Sequence, residues 1–220
     1  MRKWTRPDEP AELRAKRSAL TRDFIAEKRR TGKTPLCDWP KVRNLRGDLE
    51  TMQEMFSRLT NQHCSYCDSY MGHSSRDTID HFAPKSKFGY QAYRWRNLYH
   101  CCDGCQKKGT RYDKMALRPD EEGYEFALYF RYRRDGTIQV IAVDDNGRQR
   151  AEATITLFGL NNQKLVSHRA IEFARRLKPR ERPLPSGVDH ETARRVIACR
   201  GNDSFDDLPF RDWYDQASGA

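Results

Sequence analysis

The sequence predicts an α+β fold for this chain of 220 residues. Apolar residues recur at helical spacing near both ends, whereas residues 124–143 are typical of two paired strands. Between these regions lie two Cys-x-x-Cys pairs, a spacing typical of a metal site. The length suits one compact unit, with a helical extension (1–63), a cysteine-bounded core (64–115) and a C-terminal hairpin and helical region (116–220) packed on that core.

The helical extension is expected to contain two helices. The first covers residues 9–31, with Asp8 as its cap, Pro10 in its first turn and Gly32 after its end. An irregular loop with two prolines follows. The second helix covers about residues 46–60 and leads directly to the first cysteine pair.

The C-terminal region is expected to begin with a hairpin. Asp135 and Gly136 predict its tight turn, and a second, polar turn is expected at residues 144–147. An amphipathic helix then ends near Pro179, and a last helix covers residues 189–200. The aromatic side chains of the acidic tail are expected to pack onto the body, with docking of a partner as the alternative.

The cysteine pairs predict a structural zinc site. Thiolates at this spacing can close a tetrahedron around one zinc ion, and the four are Cys64, Cys67, Cys102 and Cys105. Cys101 competes with Cys102 as a ligand, and the alternative ligands are His63, His73 and His100. A redox role is not favoured, because neither pair lies in a pattern of alternating strands and helices.

The chain starts with charged residues and has no run of about 18 apolar residues, so we expect neither a signal peptide nor a membrane-spanning helix. We therefore predict a cytoplasmic protein. In that reducing compartment seven cysteines, an odd number, do not suit a disulfide framework. Cys37 and Cys199 stand apart from the pairs and are expected to be ordinary thiols.

Basic residues outnumber acidic ones, and the net charge of +10 favours an anionic partner, above all nucleic acid. A basic surface that is merely solvated is the alternative. The residues expected to contact phosphate are Lys85, Lys87, Arg96, Lys107 and Lys108. Tyr90, Tyr93 and Trp95 are interleaved with them, and we interpret these rings as packing residues rather than platforms for bases.

Three polar residues between the cysteine pairs are candidates for catalysis. Asp80 and His81 lie near the end of a predicted strand, where adjacent side chains face opposite sides. A neutral imidazole is a competent general base near pH 7, and a carboxylate can bind the divalent ion that stabilises the oxygen leaving a phosphodiester. Asn97 can brace the strand or the imidazole by hydrogen bonds. Ordinary roles in turns or caps are the alternative for all three.

The segments "CSYC", "IDH", "RNL" and "CDGCQ" resemble, in this order, the HNH or ββα-metal nuclease superfamily. The resemblance covers about residues 64–109 and implies a zinc-stabilised ββα-metal core. It also implies Asp80 as a ligand of catalytic Mg²⁺ or Mn²⁺, His81 as the general base, and Asn97 as a brace of the loop between the strands or of the base. Gln106 departs from the pattern, since it stands where the superfamily has Asn or His as the second ligand. Its carbonyl can still ligate the ion, but the side chain is one methylene longer.

The stretch from Ile79 to Gly109, with weaker segments on both sides, is similar to the HNH subunit of Septu anti-phage and retron-associated systems. This resemblance implies an endonuclease gated by a separate ATPase subunit. The sequence does not distinguish DNA from RNA, and we favour DNA as the substrate. The chain has no Gly-x-x-x-x-Gly-Lys-Ser/Thr loop of its own, as expected if the ATPase is a different chain. Two alternatives are open: a zinc module that binds nucleic acid or a partner without catalysis, and an RNase toxin.

Overall fold

The computed structural model describes residues 1–72 and 77–176. Within them the helices are α1 (Ala11–Thr31), α2 (Met52–Leu59), α3 (Asp103–Gln106), α4 (Phe126–Tyr129), α5 (Asp145–Phe158) and α6 (Gln163–Arg176). The strands are β1 (Val42–Arg43), β2 (Leu49–Glu50), β3 (Asp77–His81), β4 (Leu98–Cys102), β5 (Phe130–Tyr132) and β6 (Ile138–Val140). Consecutive strands form three small antiparallel pairs, so the chain is α+β with small antiparallel sheets, as predicted.

The first helix begins later than expected and without the predicted cap. Pro10 occupies the N-cap position in an extended conformation, and no side chain caps the helix, so the role given to Asp8 is wrong. The end of α1 is confirmed. Gly32 takes a left-handed conformation with φ 69°, and its N–H donates to the Lys28 carbonyl.

The second helix is shorter than the predicted range of 46–60. It begins at Met52 because Thr51 and Glu54 form a capping box, in which each side chain accepts from the backbone N–H of the other residue. The preceding residues form the β1–β2 hairpin, and the Asn44 side chain accepts from two backbone N–H groups of its turn. The hydrogen bonds of this turn hold the residues before Thr51 out of the helix.

The hairpin turn predicted at Asp135 and Gly136 is confirmed, with Tyr132 opposite Ile138 and Gly136 at φ 86°. The strand expected from residue 124 onward is wrong in its first part, because Phe126–Tyr129 form α4 and β5 begins at Phe130. The polar turn predicted at residues 144–147 is wrong, because it is the start of α5. The Asp144 side chain accepts from the Gly147 N–H and caps this helix. The helix expected at residues 189–200 and the acidic tail lie outside the described residues.

The β3–β4 pair lies between two apolar clusters. Leu98 belongs to the cluster formed with α1 and α2, whereas Tyr99 belongs to a second cluster that includes the paired cysteines and Phe158 of α5. Arg6 ties the start of the chain to this unit, since it donates to the carbonyls of Trp95 and Leu98. The division into three segments stays a prediction. No helix in the described residues combines the length and the apolar character that crossing a membrane requires.

Candidate functional site

The candidate site is built on β3, β4 and α3. The two strands are antiparallel, with Asp80 opposite Tyr99 and His81 opposite Leu98, and α3 follows β4 directly. All five residues of β4 are buried. The order strand, strand, helix places the paired cysteines at one end of the unit and Asp80 and His81 near the other.

The four predicted zinc ligands converge. The sulfur atoms of Cys64, Cys67, Cys102 and Cys105 all lie within 4.8 Å of one another, and all four side chains are buried. The Cys67 and Cys102 sulfurs are 3.7 Å apart. Tetrahedral zinc with Zn–S bonds of about 2.3 Å places its ligand sulfurs about 3.8 Å apart, so this donor set fits a structural zinc ion.

The alternative zinc ligands are engaged elsewhere. Cys101 is not in the converging group, and its thiol donates to the Cys102 carbonyl. The His63 Nδ1 lies 2.9 Å from the Asp68 carbonyl, and the His100 Nδ1 lies 2.8 Å from the Thr60 hydroxyl. His73 lies outside the described residues.

His81 is buried at the end of β3, with 7% of its surface exposed. Its Nε2 lies 2.8 Å from the Ala92 carbonyl, which can only accept, so Nε2 carries the proton and donates it. The lone pair of the neutral ring is therefore on Nδ1. Trp39 stacks on the ring at 5.9 Å between centroids, and burial lowers the pKa of His81 to about 4. The ring is a neutral base at pH 7.

Asp80 is also buried, and two groups contact its Oδ2. The Tyr66 hydroxyl donates to this oxygen at 3.0 Å, and the Lys108 ammonium lies 3.1 Å from it. Burial raises the pKa of Asp80 above its ordinary value, while Lys108 and Tyr66 act in the opposite direction. The ammonium and the hydroxyl thus offset only part of the cost of burying a carboxylate at this position.

Lys108 is predicted to contact phosphate, and the structure places it instead inside the site. Lys108 is buried, with only 3% of its surface exposed. Besides the ion pair with Asp80, its ammonium donates to the His81 carbonyl at 2.8 Å. The turn after α3 directs this side chain inward, so Lys108 joins the two candidate catalytic residues to each other.

Asn97 braces the loop between β3 and β4 and makes no direct contact with the imidazole. Its Oδ1 accepts from the Ala83 N–H at 2.7 Å, and its Nδ2 donates to the carbonyls of Ala83 and Gln91. The residue after Gln91 is Ala92, whose carbonyl holds His81. Asn97 therefore fixes the segment that positions the imidazole.

The side chains of the remaining predicted residues form no hydrogen bond with Asp80, His81 or Asn97 within the described part of the chain. Gln106 is exposed, and its side chain forms no hydrogen bond within residues 1–72 and 77–176. Lys87, Arg96 and Lys107 are also exposed, as a phosphate contact requires. Lys85 is half-buried, and its Nζ lies 3.5 Å from the Cys37 sulfur.

Sequence reasoning missed three residues that shape the site. Tyr66 lies between the first two cysteines, and Trp39 and Cys37 come from the loop after α1. The Cys37 sulfur is 3.8 Å from the His81 Nε2. The position of Tyr66 inside a metal-binding turn was the available signal for it, but no local pattern links residues 37 and 39 to residue 81.

Comparison with known proteins finds a distant relative of the chain. It is 24% identical over 148 residues to "Septu protein PtuB" of Bacillus mycoides (strain KBAB4), an alignment that covers 55% of this chain and 50% of that protein. The chain thus spans about half the length of the curated relative it matches. No protein-family profile matches the chain. The similarity agrees with the predicted resemblance to Septu proteins and assigns no activity.

Proposed function

We propose that this chain is an HNH-type endonuclease that hydrolyses phosphodiester bonds in nucleic acid. The observation that carries the proposal is the state of His81, a buried imidazole whose Nε2–H is committed to the Ala92 carbonyl. Nδ1 is then the base, and it accepts a proton from a water molecule that attacks phosphorus. The bond from phosphorus to the leaving oxygen breaks as the new bond forms.

The other residues of the site position this base. Lys108 holds the His81 carbonyl and the Asp80 carboxylate, and Asn97 holds the loop segment that ends at Ala92. Fixing a base in its reactive orientation removes part of the entropic barrier to proton transfer. Lys108 and Asn97 are therefore proposed as positioning residues.

A catalytic Mg²⁺ or Mn²⁺ at Asp80 is part of the proposal. The donor chemistry fits, since Mg²⁺ is commonly bound by one or two carboxylates together with water and substrate phosphate oxygens. When bound, such an ion stabilises the negative charge on the leaving oxygen. In the structure the Asp80 carboxylate also carries the Lys108 ion pair, so the ion and the ammonium would share one carboxylate.

The four cysteines are proposed to hold a zinc ion with a structural role. A site with four protein ligands leaves zinc no open position for a substrate, in contrast to catalytic zinc sites. Zinc here would join the turn at Cys64 and Cys67 to the start of α3 and so fix one end of the catalytic unit.

The biological setting is proposed from the relative. The distant similarity to Septu protein PtuB supports a role in Septu anti-phage defence. The separate ATPase subunit, in a hetero-oligomer that gates cleavage, is proposed from the resemblance of residues 79–109 to the HNH subunit of such systems. We propose nucleic acid as the substrate, with DNA favoured over RNA.

The test is a cleavage assay with zinc-loaded protein. Labelled single-stranded DNA, duplex DNA and RNA are incubated with Mg²⁺ or Mn²⁺, with and without the ATPase subunit and ATP. We expect cleavage by the wild type and by the control His168→Ala, whose exposed side chain is far along the chain in α6, and none by His81→Ala. Equal products from wild type and His81→Ala, or no cleavage of any substrate under all conditions, would overturn the proposal.

A second candidate function is a zinc module that binds nucleic acid or a partner without catalysis. The contacts at Asp80 favour it, because the carboxylate already has a resident ammonium and Gln106 makes no contact there. Titration of zinc-loaded protein with Mn²⁺ separates the two candidates. A second Mn²⁺ site that is lost in Asp80→Asn supports the nuclease, and its absence supports the module.

A further inference from the structure

A basic groove lies outside the candidate catalytic site. It has a volume of about 620 Å³ and runs between α1 and the 3₁₀ turn Gly89–Gln91. Four arginines, two hydroxyl residues, two apolar residues and one tyrosine line it: Arg17, Ser18, Thr21, Arg22, Ile25, Ala26, Arg29, Tyr90 and Arg94. Within the described part of the chain, no carboxylate lines this arginine groove.

The charges in the arginine groove are largely uncompensated. Arg17 pairs with Glu9 at 2.9 Å. Arg22, Arg29 and Arg94 are exposed, and their guanidinium groups form no ion pair or hydrogen bond within residues 1–72 and 77–176. Unpaired guanidinium groups that line one concave surface attract a polyanion, because a concave surface concentrates their field.

The spacing of these charges suits an extended ligand. Arg22 and Arg29 are seven residues apart on α1, so they lie on one face and are separated by about 10 Å along the helix axis. Arg94 and Tyr90 form the opposite wall. Tyr90 is 58% exposed, whereas Tyr93 and Trp95 are buried, so our interpretation of the three rings as packing residues is wrong for Tyr90. An exposed ring between cations is a platform on which an unpaired base can stack.

The wall of the arginine groove is also the segment that positions His81. The carbonyl of Gln91, the last residue of the 3₁₀ turn, accepts from Asn97, and the next carbonyl holds the imidazole. This wall is fixed to α1, because Lys28 donates to the Ser86 carbonyl and Phe24 packs edge-on against Tyr93. A ligand in the groove would therefore bind a preformed surface whose wall continues into the segment that holds the candidate base.

We propose that the arginine groove binds the sugar-phosphate backbone of a single-stranded nucleic acid, with a base stacked on Tyr90. The proposal rests on the proposed nuclease function, since it identifies the path by which a substrate strand approaches His81. Arginine contacts to phosphate carry no sequence information, so the groove selects for an unpaired strand and not for a sequence.

The test is binding rather than cleavage, so every protein carries His81→Ala. The groove variant is the triple substitution Arg22→Gln, Arg29→Gln and Arg94→Gln. The matched control is Arg46→Gln, Arg133→Gln and Arg134→Gln, which removes the same charge from exposed residues outside the groove. Affinities for a fluorescent oligothymidylate and for a duplex of the same length are measured by anisotropy at several salt concentrations.

We expect the groove variant to bind about tenfold more weakly at moderate salt. The slope of the logarithm of the binding constant against the logarithm of the salt concentration should become less steep by about two, as loss of three phosphate contacts to a single strand requires. The control variant should bind within about twofold of the parent. Tyr90→Ala should weaken binding of the oligonucleotide but not of an abasic strand, and Tyr90→Phe should restore it.

Three results would overturn the proposal: equal losses in the groove and control variants, unchanged affinity in the groove variant, or affinity for duplex alone. If the wild type cleaves nucleic acid and the groove variant binds it with unchanged affinity, the role of the groove is rejected and the nuclease function stands. Binding that depends on the groove, together with no cleavage under any condition, would reject the nuclease function and leave the groove as a binding site.

Discussion

The cluster of Cys64, Cys67, Cys102 and Cys105 and the Asp80–His81 site belong to the same strand–strand–helix unit, but they are assembled in different ways. The cluster has four identical ligands on two short turns, and its sulfurs converge within 4.8 Å. The Asp80–His81 site has unlike groups from distant segments: a carboxylate, an imidazole, an ammonium from Lys108 and a ring from Trp39. The first arrangement suits one purpose, to hold an ion, whereas the second balances burial against charge.

Substitutions in the two regions should therefore have different effects on the fold and on zinc binding. Under the proposed function the cluster holds a zinc ion that only the folded chain binds tightly, so loss of this ion should remove the fold. The Asp80–His81 site depends on many modest contacts, so single changes there should weaken the site and leave zinc bound.

Loss of a zinc ligand is the largest effect we expect. Cys105→Ser should lose zinc and the cooperative thermal transition, since structural zinc contributes on the order of 10 kcal/mol in small zinc domains. Cys37→Ser, which alters a thiol outside the cluster, should retain zinc at the wild-type level. Zinc content by mass spectrometry and melting by circular dichroism measure both. A zinc-free wild type with an unchanged melting temperature would contradict a structural role.

Removal of the loop brace should have the next largest effect. Asn97→Ala leaves buried partners of three hydrogen bonds unsatisfied, at a cost of about 3 kcal/mol in the free energy of unfolding. Zinc should remain bound, and the exposed control Asn146→Ala should change stability by less than about 0.5 kcal/mol. Urea denaturation gives both values. A loss of zinc from Asn97→Ala would show that the two regions are not separable.

The stability of the Asp80–His81 site should depend on pH. Burial lowers the pKa of His81 from 6.5 to about 4, so between these values the unfolded chain binds a proton that the folded chain does not. The contribution of the neutral ring is complete above pH 6.5 and is lost as the pH falls toward 4, by roughly 3 kcal/mol.

The measurement is urea denaturation of wild type and His81→Gln at intervals between pH 4 and pH 7, without added divalent ions. The variant lacks the titrating ring, so its stability should fall less steeply over this range. Parallel curves would contradict a buried neutral His81.

The smallest effect concerns the carboxylate that Lys108 would share with a divalent ion. Lys108→Met removes a charge that repels cations next to Asp80. Mn²⁺ should therefore bind about tenfold more tightly, a change of about 1.4 kcal/mol in the binding free energy. The matched control is Lys107→Met, which removes an exposed charge one residue away. Mn²⁺ affinity is read by electron paramagnetic resonance on zinc-loaded protein. Weaker binding in Lys108→Met than in Lys107→Met would mean that the ammonium supports the ion rather than competes with it.

The same contrast explains what the sequence could predict. The zinc ligands were predictable because two short spacings fix them locally, and the choice of Cys102 over Cys101 agrees with the converging sulfurs. The placement of Lys108 was not predictable in this way. A lysine in a basic run is usually solvated, and only the path of the turn after α3 directs this one into the site.

The fold shows the same limit in α5. Asp, Asn and Gly at residues 144–147 predict a turn because they favour turns, but the same residue types also begin helices. Asp144 caps α5. A Cβ atom added to Gly147 would lie only 2.7 Å from the Asp144 Oδ2, so the glycine leaves space for the capping side chain. The local composition indicated a change of chain direction but did not distinguish a turn from the start of a helix.

The central claim is that the Nδ1 of His81 acts as the base, and chemical rescue tests it most directly. Single-turnover cleavage is measured for wild type and His81→Gly at equal zinc content, with and without added imidazole. We expect His81→Gly to be slower by about 10² to 10⁴-fold and imidazole to restore part of the rate, because the free base can enter the space left by the ring. Cleavage by His81→Gly at the wild-type rate without imidazole would contradict the account.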